Sequence, residues 1–266
     1  MIVGLGLGVV ALILFGLGPK YAMALVVAVV VVATAECLNA VRRAGYQPAV
    51  LLGLVASAAF PLAVYWKGFA AYPVLGVLVV MAGLLWHLVG ADGDARVVES
   101  VGVTLFGVAW IGGLASFAAL MLRAQDGVGM LIAAVLATVA YDVAGFAVGR
   151  NTGTRPLSEV SPNKTWEGLA GGMFAAALVT TIGLSFVLRL DPFDTFGDAL
   201  IVGLVAAVAA PLGDLCESLV KRDLGIKDMG SVLPGHGGVL DRFDAMLFVL
   251  PAVFYAALFF ELGPFG

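Results

Sequence analysis

The sequence predicts an all-α, polytopic integral membrane protein with about nine transmembrane helices, and three observations carry that prediction. First, 62% of the 266 residues are hydrophobic and only 12% are charged, where a soluble domain carries about 25% charged residues. Second, apolar runs recur along the chain at the length of about 20 residues that a helix needs to cross a bilayer. Third, the alternating pattern of a barrel strand is absent. Helices are then the remaining solution, because every backbone N–H and C=O must find a partner where there is no water.

The expected spans are 2–17, 20–38, 48–66, 71–90, 102–122, 128–149, 167–189, 197–220 and 241–261. The first has neither a basic n-region nor a clear cleavage site, so it reads as a helix rather than a signal peptide. The second ends in AECLNAVRRAGYQP, where Glu36, Arg42 and Arg43 read as a helix end with snorkelling side chains. Spans three to five are joined by short loops and hold few polar residues. The sixth carries Asp142, and the seventh follows the loop GRNTGTRPLSEVSPNKTWEG. The eighth carries Asp214, Glu217 and Ser218, and a polar loop separates it from the ninth. The whole chain, 1–266, is expected to be one membrane-embedded domain. Its helices up to 125 are supporting, and 126–266 holds the catalytic helices and loops.

Orientation follows from the cations, which favour the cytoplasmic side. The even-numbered loops hold Arg42, Arg43, Arg96, Arg150, Arg155, Lys164, Lys221, Arg222, Lys227 and Arg242, against Lys20, Lys67, Arg123 and Arg189 in the odd ones. The amino terminus is therefore expected in the cytoplasm and the carboxyl terminus outside. Cys37 and Cys216 lie inside spans without metal-ligand spacing, so both read as small buried apolar residues. The net charge of −4 is segregated by loop, and no nucleic-acid partner is expected.

Chemistry concentrates in the second half. Asp214, Ser218 and Lys221 share one face of the eighth span. Asp241 and Asp244, three apart, share a face at the start of the ninth, where the helix dipole favours acids. Ionisable groups inside a bilayer are unfavourable unless they are paired or coordinated, which makes them functional candidates. Carboxylates mixed with Lys221, Arg222, Lys227 and Arg242 suit a divalent metal and phosphate, and Gly237 and Gly238 beside His236 allow close backbone approach. In the preceding loop, SPNKTWEG offers Lys164 and Thr165 to phosphate, while Ser161 or Asn163 is expected to cap the helix that follows.

Together these residues resemble the phosphatidate cytidylyltransferase family, also called CDP-diacylglycerol synthase. Ser218, Lys221, Arg222, Lys227, Asp228, Pro234, His236, Gly237, Gly238, Asp241, Arg242 and Asp244 follow its signature without a gap. SPNKTWEG and Asp142 also resemble family features, and ECLNAVRRAGYQP does so more loosely. Phe146 departs from the pattern, which has a tyrosine four residues after the aspartate. The resemblance implies transfer of a cytidylyl group from CTP to phosphatidic acid in a bacterial-type inner (plasma) membrane, with the active site facing the cytoplasm. It implies Mg²⁺ held by Asp214, Asp241 and Asp244, with a second cation left open. Lys221 and Arg222 complete the implied catalytic set. Asp142, Ser161, Asn163, Lys164, Thr165, Ser218, Lys227, Asp228, His236, Gly237, Gly238 and Arg242 are implied to bind substrate. The implied partners are CTP, phosphatidic acid and membrane lipids, with a homodimer left open. Two alternatives stand beside this reading: a CTP-dependent transferase for another lipid phosphate, and an ion or solute transporter built on the intramembrane acids.

Overall fold

The computed structural model describes residues 13–90, 96–158, 161–233, 235 and 237–259. Within them the regular structure is helical, apart from isolated bridges at Pro156–Thr165 and Leu233–Gly237. The helices are α1 Pro19–Arg43, α2 Val50–Lys67, α3 Ala71–Val89, α4 Val97–Arg123, α5 Gly127–Thr152, α6 Trp166–Leu188, α7 Phe196–Asp223 and α8 Leu240–Phe259. Expected spans two to nine fall on these helices in order. The first falls mostly on residues 1–12, which lie outside the described ones. By length and composition, seven continuous segments among the described residues can cross a membrane.

One of those segments, Val50–Val89, is 40 residues long. A straight helix of that length would reach about 60 Å, twice the roughly 30 Å hydrocarbon core. It folds back at Gly68, whose φ of 62° suits glycine. The two arms, α2 and α3, pack through Ala56, Phe60 and Val79 together with Val108 of α4. The Phe60 and Tyr72 rings meet edge to face at 5.9 Å. This fold-back turns the single segment into the two spans the sequence predicts.

The chain divides into two compact units, Met1–Leu122 with Leu224–Arg242 and Arg123–Asp223 with Phe243–Gly266. In the first, α4 is the central helix, with 78% of its apolar window buried. It contains a π-turn at Val108–Gly113, and the Gly113 carbonyl there accepts a hydrogen bond from the Tyr72 hydroxyl at 3.3 Å. Thr104 of α4 accepts from the Ala49 N–H at 3.0 Å, satisfying a donor at the start of α2 that has no partner within its own helix. Pro19 opens α1, where its missing N–H is harmless.

In the second unit the helices approach through small residues. A Cβ at Gly168 would lie 2.8 Å from the Gly145 carbonyl and 3.0 Å from the Gly149 Cα. Only glycine therefore permits this approach of α5 to α6, the small-residue packing typical of membrane helices. In the same unit, a Cβ at Gly213 of α7 would lie 2.7 Å from the Asp244 carbonyl of α8. That closeness brings the acids of the two helices together.

Candidate active site

Asp214 sits on α7, half-buried, in an ion pair with Lys164 from the loop ahead of α6. One turn later Glu217 is fully buried, and its Oε2 accepts from the Lys221 ammonium at 2.5 Å. Asp244, 7% exposed on α8, stands near Glu217 and Asp214. Its Oδ1 also accepts from the Ala245 N–H at 2.8 Å. Tyr141 of α5 is buried beside Asp214 and Asp244. Among the described residues, the carboxyl groups of Asp214, Glu217 and Asp244 thus gather with the ammonium groups of Lys164 and Lys221.

The loop ahead of α6, which carries Lys164, is held by its own hydrogen bonds. The Leu157 N–H donates to the Lys164 carbonyl at 2.7 Å, and Glu167 accepts from the Thr154 hydroxyl at 2.6 Å. Thr165 is the N-cap of α6, its hydroxyl accepting from the Gly168 N–H at 3.1 Å. The cap expected at Ser161 or Asn163 is therefore Thr165, because the helix begins later than the serine-proline turn. Ser161 is buried, and Asn163 is exposed.

In the first unit, Lys227, Asp228, Ser231, Gly235, Gly237 and Arg242, among others, line an open pocket of about 380 Å³. Small-ligand pockets begin at about 300 Å³. Gly237 has φ 79°, and its carbonyl accepts from the Leu233 N–H at 3.0 Å, closing the loop on itself. Asp241 Oδ2 accepts from the Met229 N–H at 3.0 Å and the Gly238 N–H at 2.8 Å. These bonds make Asp241 the organiser of the loop.

The predicted residues therefore fall into two groups. Lys164, Asp214, Ser218, Lys221 and Asp244 belong to one unit, and Lys227, Asp228, Gly237, Gly238, Asp241 and Arg242 to the other. Asp142 and Arg222 are exposed. His236 and Pro234 lie outside the described residues. Cys37 is buried as expected, but Cys216 is exposed. It shares a face of α7 with the exposed Leu212 and Leu219, where an apolar thiol is compatible with lipid.

Two residues were not recognised as site residues in the sequence. Glu217 was visible as an intramembrane acid, but nothing local reveals that it stands near Asp244. Glu36 is 6% exposed, and its Oε2 accepts from the Leu240 N–H at 2.9 Å across 204 residues of sequence. Among the described residues no three His, Cys, Asp or Glu side chains enclose a metal ion by themselves. The carboxylate donors here nonetheless fit Mg²⁺, which commonly takes one or two carboxylates and completes its shell with water and substrate phosphates.

A helical chain with several membrane-length segments, one of which carries Asp214, Glu217 and Lys221, belongs to the class of integral membrane proteins with an ionisable cluster inside a span. Residues 1–260 match the model of the cytidylyltransferase family. The chain is 34% identical over 260 residues to the phosphatidate cytidylyltransferase of Mycobacterium bovis, covering 93% of this chain and 83% of that one. The protein of that name from Mycobacterium leprae is 34% identical over 261 residues, covering 92% and 82%. That from Bacillus subtilis is 40% identical over 139 residues, covering 52% and 50%. The chain belongs to the cytidylyltransferase family and is a nucleotidyltransferase embedded in a membrane.

Proposed function

We propose that this chain transfers the cytidylyl group of CTP to phosphatidic acid, giving CDP-diacylglycerol and pyrophosphate. The observation that carries the reading is the pocket of about 380 Å³ whose lining includes Lys227, Asp228, Gly237 and Arg242 of the family signature. In the reaction, a phosphate oxygen of phosphatidic acid attacks the α-phosphorus of CTP. The bond from that phosphorus to the oxygen bridging to the β-phosphate breaks, and pyrophosphate leaves with the electron pair. The attacking oxygen is already anionic, so no strong general base is required; the obstacle is bringing two polyanions together.

Lys227 and Arg242 hold the triphosphate, and Lys164, Lys221 and Arg222 neutralise phosphoryl oxygens. Asp214, Asp241 and Asp244 are the carboxylates that would hold Mg²⁺, which when bound neutralises and aligns phosphoryl oxygens. Asp142, Ser161, Asn163, Thr165, Ser218, Asp228, His236, Gly237 and Gly238 orient the substrates or shape the loops. The acyl chains remain in the bilayer, and the site faces the cytoplasm of a bacterial-type plasma membrane. Supporting this reading, the donor set combines hard oxygens with cations, and the mycobacterial relatives carry that activity in their names.

The test is purified protein in lipid nanodiscs with labelled CTP and phosphatidic acid, with and without Mg²⁺. Labelled CDP-diacylglycerol and an equal amount of pyrophosphate are expected only with the metal. Product from a polyprenyl phosphate but not from phosphatidic acid reassigns the acceptor. No product from either overturns the reading.

A further inference from the structure

We infer that Glu36, at the end of α1, is the positioning residue of the Leu224–Arg242 loop, holding the backbone that shapes the nucleotide cavity. The inference rests on the reading of that cavity as the CTP site. A carboxylate buried to 6% exposure within an apolar helix is unfavourable unless it is compensated. Its partner here is the Leu240 N–H at 2.9 Å, the first residue of α8. That is an otherwise orphan donor at the positive end of a helix dipole, where an anion is favoured.

The loop backbone lies against the same carboxylate at two further points. A Cβ at Gly238 would fall 2.6 Å from Glu36 Oε2, and one at Gly230 would overlap the carboxyl group itself. Glu36 Oε1 is buried with no hydrogen-bond partner among the described residues, so the charge is held against the loop. Seven residues on, Arg43 donates to the Met229 carbonyl at 3.2 Å, and Asp241 grips the Met229 and Gly238 N–H groups from the other side. Gly230 and Gly237, between these anchor points, line the cavity. Glu36 does not line it, so it acts through the loop.

The experiment compares Glu36→Ala, Glu36→Asp and Glu36→Gln. It reads steady-state kinetics, thermal midpoints and amide exchange over residues 229–241. Glu36→Ala is expected to raise the KM for CTP about tenfold, with kcat and the KM for phosphatidic acid within about twofold. Exchange over 229–241 should accelerate while α5 and α6 stay unchanged. Glu36→Gln keeps an acceptor for the Leu240 N–H and should stay within about threefold of the parent. Glu36→Asp is too short to reach and should raise the KM for CTP several-fold, which carries the test if the alanine variant does not fold.

An unchanged KM for CTP in Glu36→Ala, or in Glu36→Asp where the alanine variant does not fold, overturns the inference. So does a glutamine variant as impaired as alanine, or a fall in all kinetic parameters in step with the thermal midpoint. If the parent protein transfers no cytidylyl group, the proposed function fails by itself. Amide exchange in Glu36→Ala then decides the support of the loop, unchanged exchange being the overturning result.

Discussion

Asp214 and Lys164 stand 50 positions apart in the chain yet form one ion pair, and no local pattern announces that pairing. Asp214 stands out because an acid in an apolar span requires compensation, and Lys164 because with Thr165 it offers phosphate a cation and a hydroxyl. Their contact depends on how α6 and α7 pack. Asp214→Asn should lower kcat/KM by about a thousandfold, roughly 4 kcal/mol, without lowering the thermal midpoint; activity near the parent's would remove Asp214 from the chemistry. Glu217 behaves differently. Its carboxyl is fully buried against Lys221, whose side chain is only 14% exposed. Removing one member of a buried pair destabilises by about 3–5 kcal/mol because the other charge remains. Glu217→Ala should therefore lower the thermal midpoint, and Glu217→Ala with Lys221→Met should recover part of the loss. A midpoint equal to the parent's in Glu217→Ala would show that the pair contributes nothing.

Among the helices, length and hydropathy alone located α1 to α8, since crossing a bilayer imposes a minimum run. Even the α2–α3 fold-back was legible, because the bilayer cannot hold a 40-residue straight helix. Which helices touch was less legible. Gly145, Gly149 and Gly153 on and just beyond α5, with Gly168 and Gly172 on α6, recur every four residues. That is a small-residue spacing whose partner is not written in either helix. Gly168→Val should separate α5 from α6 and destabilise by roughly 1–3 kcal/mol, with Gly168→Ala milder, read as thermal midpoints in nanodiscs. Equal midpoints in both variants would mean that the helices adjust without loss. The same geometry explains why Thr165 caps α6: with Gly168 tight against α5, the helix starts at Trp166 and leaves Ser161 and Asn163 outside it.

For the molecule as a whole, the uneven distribution of Lys and Arg predicts the direction of insertion. Ser231 is exposed in the polar loop. Ser231→Cys, placed in a background with Cys37→Ala and Cys216→Ala, should react with an impermeant maleimide in inside-out vesicles but not in intact cells. The reverse pattern would invert the topology and put the proposed nucleotide site on the wrong side for CTP. The broad apolar exposure, with Val89 at 88%, Val98 at 86% and Trp66 at 74%, is the surface expected of a protein solvated by lipid rather than water.

By itself, the sequence determined the membrane class, the order of the spans and the stretches where acids and cations concentrate. Those follow from hydropathy and from residue types at short spacing, which are local properties of a chain. Only the tertiary structure decided that Glu36 supports Leu240, that Lys164 neutralises Asp214, and that Glu217 stands against Asp244. The physical reason is that a buried charge must be compensated by whatever group packing delivers to it. Between helices distant in sequence, that delivery is set by which small residues let backbones approach.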